Sequence, residues 1–283
     1  MNKIIILIII VAAMITSCER EVKNIILPEF RQKLVIHSYI SPSDTLSFVR
    51  VSSNRRIYGE LNTGENTGNL SATISNGTTT VNLTRVTDGF LFRPGNMKIE
   101  EGKSYTLKVI SDKGLSAEAS CTVPLKRDFM IEADTSRSFY AEPYNGGYYR
   151  IQAIIHLTDF PGESNYFRFS CKELLYDPGY YYYPEKFQLL GQKQEFFDDS
   201  GKDGRKFLVD IITASEPYKS DSAFLVFYIQ NTDKAYYTFH KSLENYSGGS
   251  DPFSEVSPLY SNINGGLGVF SAYTVDSLVV RLK

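Results

Sequence analysis

Side chains that could bind a metal or act as nucleophiles are few and scattered in this sequence. Its three histidines, His37, His156 and His240, fall in three different predicted elements and lack the short spacing of metal ligands. The sequence has no Gly-x-Ser-x-Gly, no His-Glu-x-x-His, no phosphate-binding glycine loop and no Cys-x-x-Cys. We therefore predict a protein that is not an enzyme, binds no metal and needs no cofactor.

One acidic stretch has some features of a calcium-binding loop. Asp199, Asp203, Gly204 and Asp210 stand at loop positions one, five, six and twelve, but position three is Gly201. The last of these residues also falls in a predicted strand, where a calcium loop would continue into a helix. We therefore predict a polar hairpin turn here and no metal site.

Two cysteines in the body of the chain leave two interpretations open. Cys121 and Cys171 each alternate with polar residues in a predicted strand, so both side chains are expected to point inward. They are either buried as small apolar residues or joined in a disulfide, which an oxidising compartment would permit.

A run of tyrosines offers aromatic surface in a loop. It lies between Pro178-Gly179 and Pro184 and consists of Tyr180, Tyr181, Tyr182 and Tyr183. Exposed rings there could contact a ligand or a partner, and they are candidate partner contacts. The alternative is a loop packed on its own domain.

The N-terminal residues resemble the export signal of a bacterial lipoprotein. Lys3 precedes an unbroken apolar run from Ile4 to Ile15, which is too short to span a membrane and has the length of a signal-peptide core. The run leads into Ile15-Thr16-Ser17-Cys18, which is similar to a lipobox. The resemblance implies that residues 1–17 are a signal peptide and that Cys18 carries acyl chains such as palmitate. The alternative is an ordinary secretory signal followed by an incidental cysteine.

The elements after the N-terminus predict a tethered β protein. Residues 18–32 are expected to form the lipidated tether, because they mix charges with Pro28 and follow no clear period. Residues 33–128 are predicted to form an immunoglobulin-like β-sandwich, since roughly seven short strands recur between turn signals. Asn76-Gly77 and Ser111-Asp112-Lys113-Gly114 each predict a hairpin, and residues 80–86 are predicted as one strand.

Residues 129–283 are predicted to form a second β-rich domain with one helix. The apolar segment 222–230 indicates a central strand covered on both faces, and a last strand is predicted to begin at Ser277. A helix is predicted near 233–246, because Asp233 suits an N-cap and an apolar stripe follows at helical spacing, formed by Ala235, Tyr236, Phe239, Leu243 and Tyr246. The predicted fold class is therefore mainly β, with a sandwich followed by a β-rich domain that carries a single α-helix.

A glycine-rich pattern near the C-terminus carries a family resemblance. Tyr260-Ser261-Asn262-Ile263, followed by Gly265-Gly266-Leu267-Gly268, resembles the closing signature of a Bacteroidota lipoprotein family, domain of unknown function 4249. The resemblance implies an outer-membrane lipoprotein with two β-rich domains, often encoded beside a TonB-dependent receptor, and it implies no catalytic residue. From the residue types alone, Asn262, Gly265 and Gly266 form either a turn that closes the fold or a contact surface for a partner.

Three function classes follow from these observations. The main expectation is a non-enzymatic outer-membrane lipoprotein, on the periplasmic face or the cell surface, that serves as an accessory or ligand-binding partner of a TonB-dependent receptor. The alternatives are an adhesive or structural surface lipoprotein, which the immunoglobulin-like half suggests, and an unrecognised hydrolase built on carboxylates. Thirty basic and 32 acidic residues give a net charge of −2, which argues against a nucleic-acid partner.

Overall fold

The computed structural model describes residues 29–55, 66–126, 131–140, 148–158, 161–175, 195–200, 206–212, 223–244, 246 and 258–281. The chain divides into an N-terminal unit that ends at Arg31 and a main unit that begins at Gln32. Within the first unit, exposed Arg31 pairs with Glu29 at 3.4 Å.

The elements of the main unit are, in order, β1 (Leu34–Ile40), β2 (Ser47–Ser53), β3 (Leu70–Ser75), β4 (Thr80–Asn82), β5 (Thr84–Val86), β6 (Gly89–Phe92), a 3₁₀ turn (Pro94–Asn96), β7 (Ser104–Ser111), β8 (Ser116–Thr122), β9 (Ile131–Tyr140), β10 (Tyr148–Thr158), β11 (Tyr166–Leu175), β12 (Phe196–Asp198), β13 (Lys206–Ile212), β14 (Ala223–Thr232), α1 (Lys234–Glu244) and β15 (Leu267–Arg281).

In the described part of the chain, the strands form three sheets. The largest has eight strands in the order β12-β11-β14-β15-β1-β2-β6-β5, and the others have the orders β4-β3-β7-β8 and β13-β10-β9. The mainly β class is confirmed, and the described residues contain one α-helix. In the part of the chain that the structure describes, no helix is long and apolar enough to cross a membrane.

The four-stranded sheet packs on one end of the eight-stranded sheet. Strands β1, β3, β7 and β8 bury every second residue, as a half-buried sheet requires. The shared core contains Ile36, Phe90 and Tyr105, each about 1% exposed. Both predicted hairpins are confirmed, since β3 pairs with β4 and β7 with β8. Residues 80–86 are not one strand, because buried Leu83 separates β4 from β5 and the two pair in different sheets.

Strand β15 joins the sandwich to the rest of the large sheet. It pairs in parallel with β1 over residues 267–272 and antiparallel with β14 over residues 273–281. Phe270 and Ala272 are fully buried in the same core as β1 and β7. The division at residues 128 and 129 stays a prediction, and the eight-stranded sheet contains strands from both sides of it.

Several boundaries differ from the sequence-based expectation. The last strand begins at Leu267, ten residues before Ser277, because parallel pairing with β1 extends it. Strand β12 pairs with β11 while β13 pairs with β10, and most of the acidic stretch predicted as a polar hairpin turn, residues 201–205, lies outside the described residues. The prediction of a central strand at 222–230 is confirmed, because β14 lies between β11 and β15.

Candidate functional site

Helix α1 begins at a carboxylate that also holds strand β15. Asp233 Oδ1 accepts a hydrogen bond from the Tyr236 amide at 2.8 Å, as an N-cap does, and Oδ2 accepts one from the Ala272 amide at 3.0 Å. The predicted cap is thus confirmed. The predicted stripe is confirmed at Tyr236 and Phe239, which are 3% exposed, whereas Leu243 and Tyr246 are 40% and 44% exposed.

An aromatic cluster lies between α1 and the eight-stranded sheet. The His240 ring stacks on Phe196 with centroids 4.7 Å apart and lies 5.6 Å from the Tyr39 ring. The His37 ring contacts Phe239 at 5.5 Å. We call this set, together with Tyr236, the helix cluster. It brings two of the three histidines to one interface, and His240 takes the inward place on the helix that the sequence assigned to Leu243.

An arginine joins the helix cluster to the sheet. Arg168 on β11 donates through Nη1 to the Tyr236 hydroxyl at 2.7 Å and through Nε to Glu195 at 2.5 Å. Its guanidinium carbon lies 5.4 Å from the centre of the Phe196 ring. The guanidinium group of Arg168 is thus hydrogen-bonded to two side chains and lies over a third. These contacts hold the surrounding side chains in place and use the cation within the protein itself.

Burial shifts the titration of this interface strongly. Desolvation, reinforced by the positive charge of Arg168, lowers the pKa of His240 to about 4, and burial also lowers the pKa of His37. Burial raises the pKa of Asp233 to about 6, although three backbone amides oppose that shift. At neutral pH the His240 imidazole is therefore uncharged, and Asp233 is a partly buried carboxylate.

A cleft of about 210 Å³ opens beside the N-terminus of α1. Its walls come from three segments. They are Thr122, Pro124 and Leu125 at the end of β8, residues 163–166 before and into β11, and residues 231–234 at the start of the helix. These segments lie far apart in sequence, so the cleft exists only in the folded chain. We call it the interdomain cleft, after the predicted division near residue 128.

Hydrogen bonds within the chain hold the floor of the interdomain cleft. Asn231 donates to the Leu125 carbonyl at 3.3 Å, and the Thr232 hydroxyl donates to the Tyr166 carbonyl at 3.2 Å. The Asn165 amide donates to Asp199 at 2.8 Å. Asp199 therefore serves the turn at Asn165, and no group of three or more metal ligands occurs among the described residues.

Asp233 is a cleft carboxylate whose pKa is raised, and its geometry decides its role. A general acid or base must present an oxygen to a substrate. Both oxygens of Asp233 instead accept backbone hydrogen bonds, one from the helix and one from β15. The raised pKa therefore reflects burial at a structural cap, and it lends no support to the hydrolase alternative.

The C-terminal signature residues lie where the two sandwich sheets meet. The Asn262 side chain accepts from the Phe270 amide at 3.0 Å and donates to the Phe270 carbonyl at 2.7 Å, as a neighbouring strand would. Asn264 exchanges two backbone hydrogen bonds with Glu118 of β8. This segment therefore closes one edge of the sandwich.

The two signature glycines approach the protein's own backbone. Gly265 has a φ of +73°, and a Cβ there would lie 2.4 Å from the Ser116 carbonyl oxygen. Gly266 is buried, is not among the positive-φ glycines, and a Cβ there would lie 2.7 Å from the Leu34 carbonyl oxygen. Close packing thus explains Gly266, and partner contact at Asn262, Gly265 and Gly266 stays a prediction.

Other predicted site residues fall elsewhere. Cys18 and Tyr180, Tyr181, Tyr182 and Tyr183 lie outside the described residues. Cys121 is a buried free thiol whose pKa is raised by burial and by the nearby charge of Asp233. Cys171 lies in β11, and its side chain is outside the described part.

Comparison with known families decides where the chain belongs. The family model described as domain of unknown function (DUF4249) matches residues 20–278. The chain is a member of the DUF4249 family. No curated protein matches it. The DUF4249 match includes the interdomain cleft, the helix cluster and the C-terminal signature.

Sequence reasoning missed the helix cluster and the interdomain cleft. A partial signal for the cluster was present, because Tyr236, Phe239 and His240 stand at helical spacing and His37 and Tyr39 alternate on β1. No local signal places them against Arg168 or Phe196. The cleft has no motif at all in this DUF4249 chain, since its walls meet only through the pairing of distant strands.

Proposed function

We propose that this chain is a non-enzymatic, ligand-binding lipoprotein of the outer membrane in Bacteroidota, anchored through Cys18 and acting beside a TonB-dependent receptor. The observation that carries the binding role is the interdomain cleft, a preformed concave site whose buried polar groups are held by internal hydrogen bonds. The commitment of both Asp233 oxygens supports recognition over hydrolysis.

The lipid anchor rests on the N-terminal sequence and on the start of the main unit. The apolar run that ends at Cys18 is followed by a short charged stretch, and the main folded unit begins at Gln32. A segment of that length suits a tether between a lipidated cysteine and a folded body.

The anchor is tested by intact-mass measurement of the protein from the membrane fraction. A mass increase from acyl groups on Cys18, absent in Cys18→Ala, is expected, and the variant should leave the membrane fraction or stay unprocessed. An unmodified Cys18 in membrane-bound protein would contradict the anchor.

The receptor partnership is tested by affinity capture of the tagged full chain from detergent-solubilised membranes of its native cell. A TonB-dependent receptor encoded beside the gene should be recovered in stoichiometric amount and identified by mass spectrometry. A matched capture with an unrelated tagged lipoprotein serves as the control. Equal recovery in both samples would reject the partnership.

An adhesive surface role is the second candidate, and one observation favours it. The outer face of the four-stranded sheet carries cross-strand hydroxyl pairs, Ser104 with Thr122 and Thr106 with Ser120, each at 2.8 Å. A flat, exposed polar face can contact an extended surface. Adhesion would be favoured if the purified protein bound intact cells and Ser120→Phe abolished that binding. Unchanged binding by the variant would reject this face.

A further inference from the structure

The interdomain cleft has one deeply buried polar side chain with an acceptor to spare. Asn231 is 5% exposed and lines the cleft. Its Nδ2 donates to the Leu125 carbonyl, while its Oδ1 accepts no hydrogen bond within the described part of the chain. That oxygen is not among the fully buried unpaired side-chain atoms of the described residues, so it can accept a hydrogen bond from water or from a ligand in the cleft.

Other cleft groups supply complementary chemistry. Ser164 and Lys234 are exposed on the rim and provide a hydroxyl and an ammonium donor. Pro124 and Leu125 provide an apolar wall, and Leu125 is 47% exposed although Val123, two residues earlier, is fully buried. The cleft thus combines one acceptor in its floor, donors at its rim and an apolar side.

Size and charge narrow the ligand. A volume of about 210 Å³ is below the usual range for drug-sized ligands, so the occupant is a single small ring or a short chain. Glu163 and Asp233 outnumber Lys234 among the charged lining residues, which disfavours an anion. Both oxygens of Asp233 are engaged, which disfavours direct coordination of a cation there.

We propose that the interdomain cleft binds a neutral, hydroxyl-rich ligand of monosaccharide size. A sugar ring has hydroxyls that both donate and accept, and a C–H face that suits an apolar wall. Its hydroxyls would donate to Asn231 Oδ1 and accept from Lys234, with the C–H face against Leu125. This assignment rests on the proposed function, because it names the chemical class of the ligand in the proposed binding role.

The test uses the full chain, purified in a detergent without a sugar headgroup, and saturation-transfer NMR with D-glucose, D-galactose and N-acetyl-D-glucosamine. At least one sugar should show saturable binding with a dissociation constant on the order of millimolar. Ser164→Phe, which fills the cleft, and Leu125→Ser, which removes the apolar wall, should each weaken binding about tenfold or more.

Matched controls keep the test specific. Ser71→Phe places the same ring at an exposed strand position that does not line the cleft, and Leu46→Ser alters a leucine that is 44% exposed, close to the 47% of Leu125. Both controls should bind like the parent chain. The proposal is overturned if no sugar binds saturably, if binding survives both cleft variants, or if L-alanine binds in the cleft and the sugars do not.

The outcome is separable from that of the proposed function. Loss of sugar binding leaves acylation of Cys18 and receptor capture as they were measured, so only the ligand assignment fails. If the chain binds sugar but is neither acylated nor captured with a receptor, the cleft assignment stands. The proposed lipid anchor and receptor partnership are then rejected.

Discussion

Gly266 shows at the residue scale how closely the C-terminal signature packs. A Cβ at this position would lie 2.7 Å from the Leu34 carbonyl oxygen and 2.9 Å from Ile263 Cγ2. We expect Gly266→Ala to lower the free energy of unfolding by about 1–3 kcal/mol, because backbone and a buried side chain must shift. Denaturant unfolding followed by circular dichroism measures the change.

Gly95→Ala is the matched control for that substitution. Gly95 also has no positive φ, and a Cβ there would meet no atom within 4 Å. Its effect should stay within about 0.5 kcal/mol. If Gly266→Ala left stability unchanged and reduced receptor capture, the glycine would serve a partner and the packing explanation would be wrong.

Cys121 is expected to behave as a small core residue. It is 6% exposed and is a free thiol among apolar neighbours. Cys121→Ala should cost about 1–2 kcal/mol of stability, and reductant should not change the melting temperature of the parent chain. A melting temperature that falls with reductant, together with a Cys121–Cys171 crosslinked peptide, would contradict this.

At the scale of elements, one carboxylate fastens the helix to the sheet. Asp233 satisfies amides of both α1 and β15, so Asp233→Ala removes a cap and leaves the buried Ala272 amide without its acceptor. The expected loss of stability is about 2 kcal/mol or more. The exposed Asp88→Ala in a turn is the control and should change the unfolding midpoint little. Equal midpoints for the two variants would refute the fastening role.

The helix interface also predicts a pH dependence. The pKa of His240 is about 4 in the folded chain against 6.5 ordinarily, so the unfolded chain binds protons more tightly and stability falls as pH drops from 6.5 towards 4. The pKa of Asp233 is about 6 against 3.8, so this group acts in the opposite sense between pH 6 and 3.8. His37 acts in the same direction as His240.

His240→Phe separates these opposed contributions. The new ring keeps the stack on Phe196 and removes the titrating imidazole. Relative to the parent chain, we expect the variant to gain stability as pH falls from 6.5 to 4, as judged from urea midpoints at a series of pH values. Parallel curves for variant and parent would show that His240 does not titrate between the two states.

On the scale of the whole molecule, β15 makes the sandwich depend on the C-terminal end of the chain. It places fully buried Phe270 and Ala272 in the sandwich core and covers one edge of β1. Burial of one such large side chain contributes about 1.5–3 kcal/mol, and an uncovered β1 would expose its edge to water and to other chains.

Residues 29–126 alone are therefore expected not to fold cooperatively. Joining them through a flexible linker to residues 258–281 should restore a cooperative thermal transition, because β15 then pairs with β1 again. Calorimetry of both fragments checks this. A cooperative transition in residues 29–126 alone would support an independent sandwich domain that ends near residue 128.

The sequence by itself determined the features that depend on neighbouring residues. Asn76-Gly77 predicted a hairpin because both residues accept the backbone angles of its turn, and Asp233 with the stripe after it predicted α1 because capping and helical spacing are local. Period-two alternation likewise predicted most strands and the mainly β class.

Only the tertiary structure decided which residues that are distant in sequence lie in contact. The Tyr273 hydroxyl donates a hydrogen bond to Asp44, which is 229 positions away in the sequence. Strand β1 likewise pairs in parallel with β15, which comes from the other end of the chain. Such contacts leave no local period, because their geometry depends on which sheet edges meet and not on adjacent residues. The helix cluster and the interdomain cleft both arise from contacts between segments that are distant in sequence, which is why side chains with no common motif come to share one site.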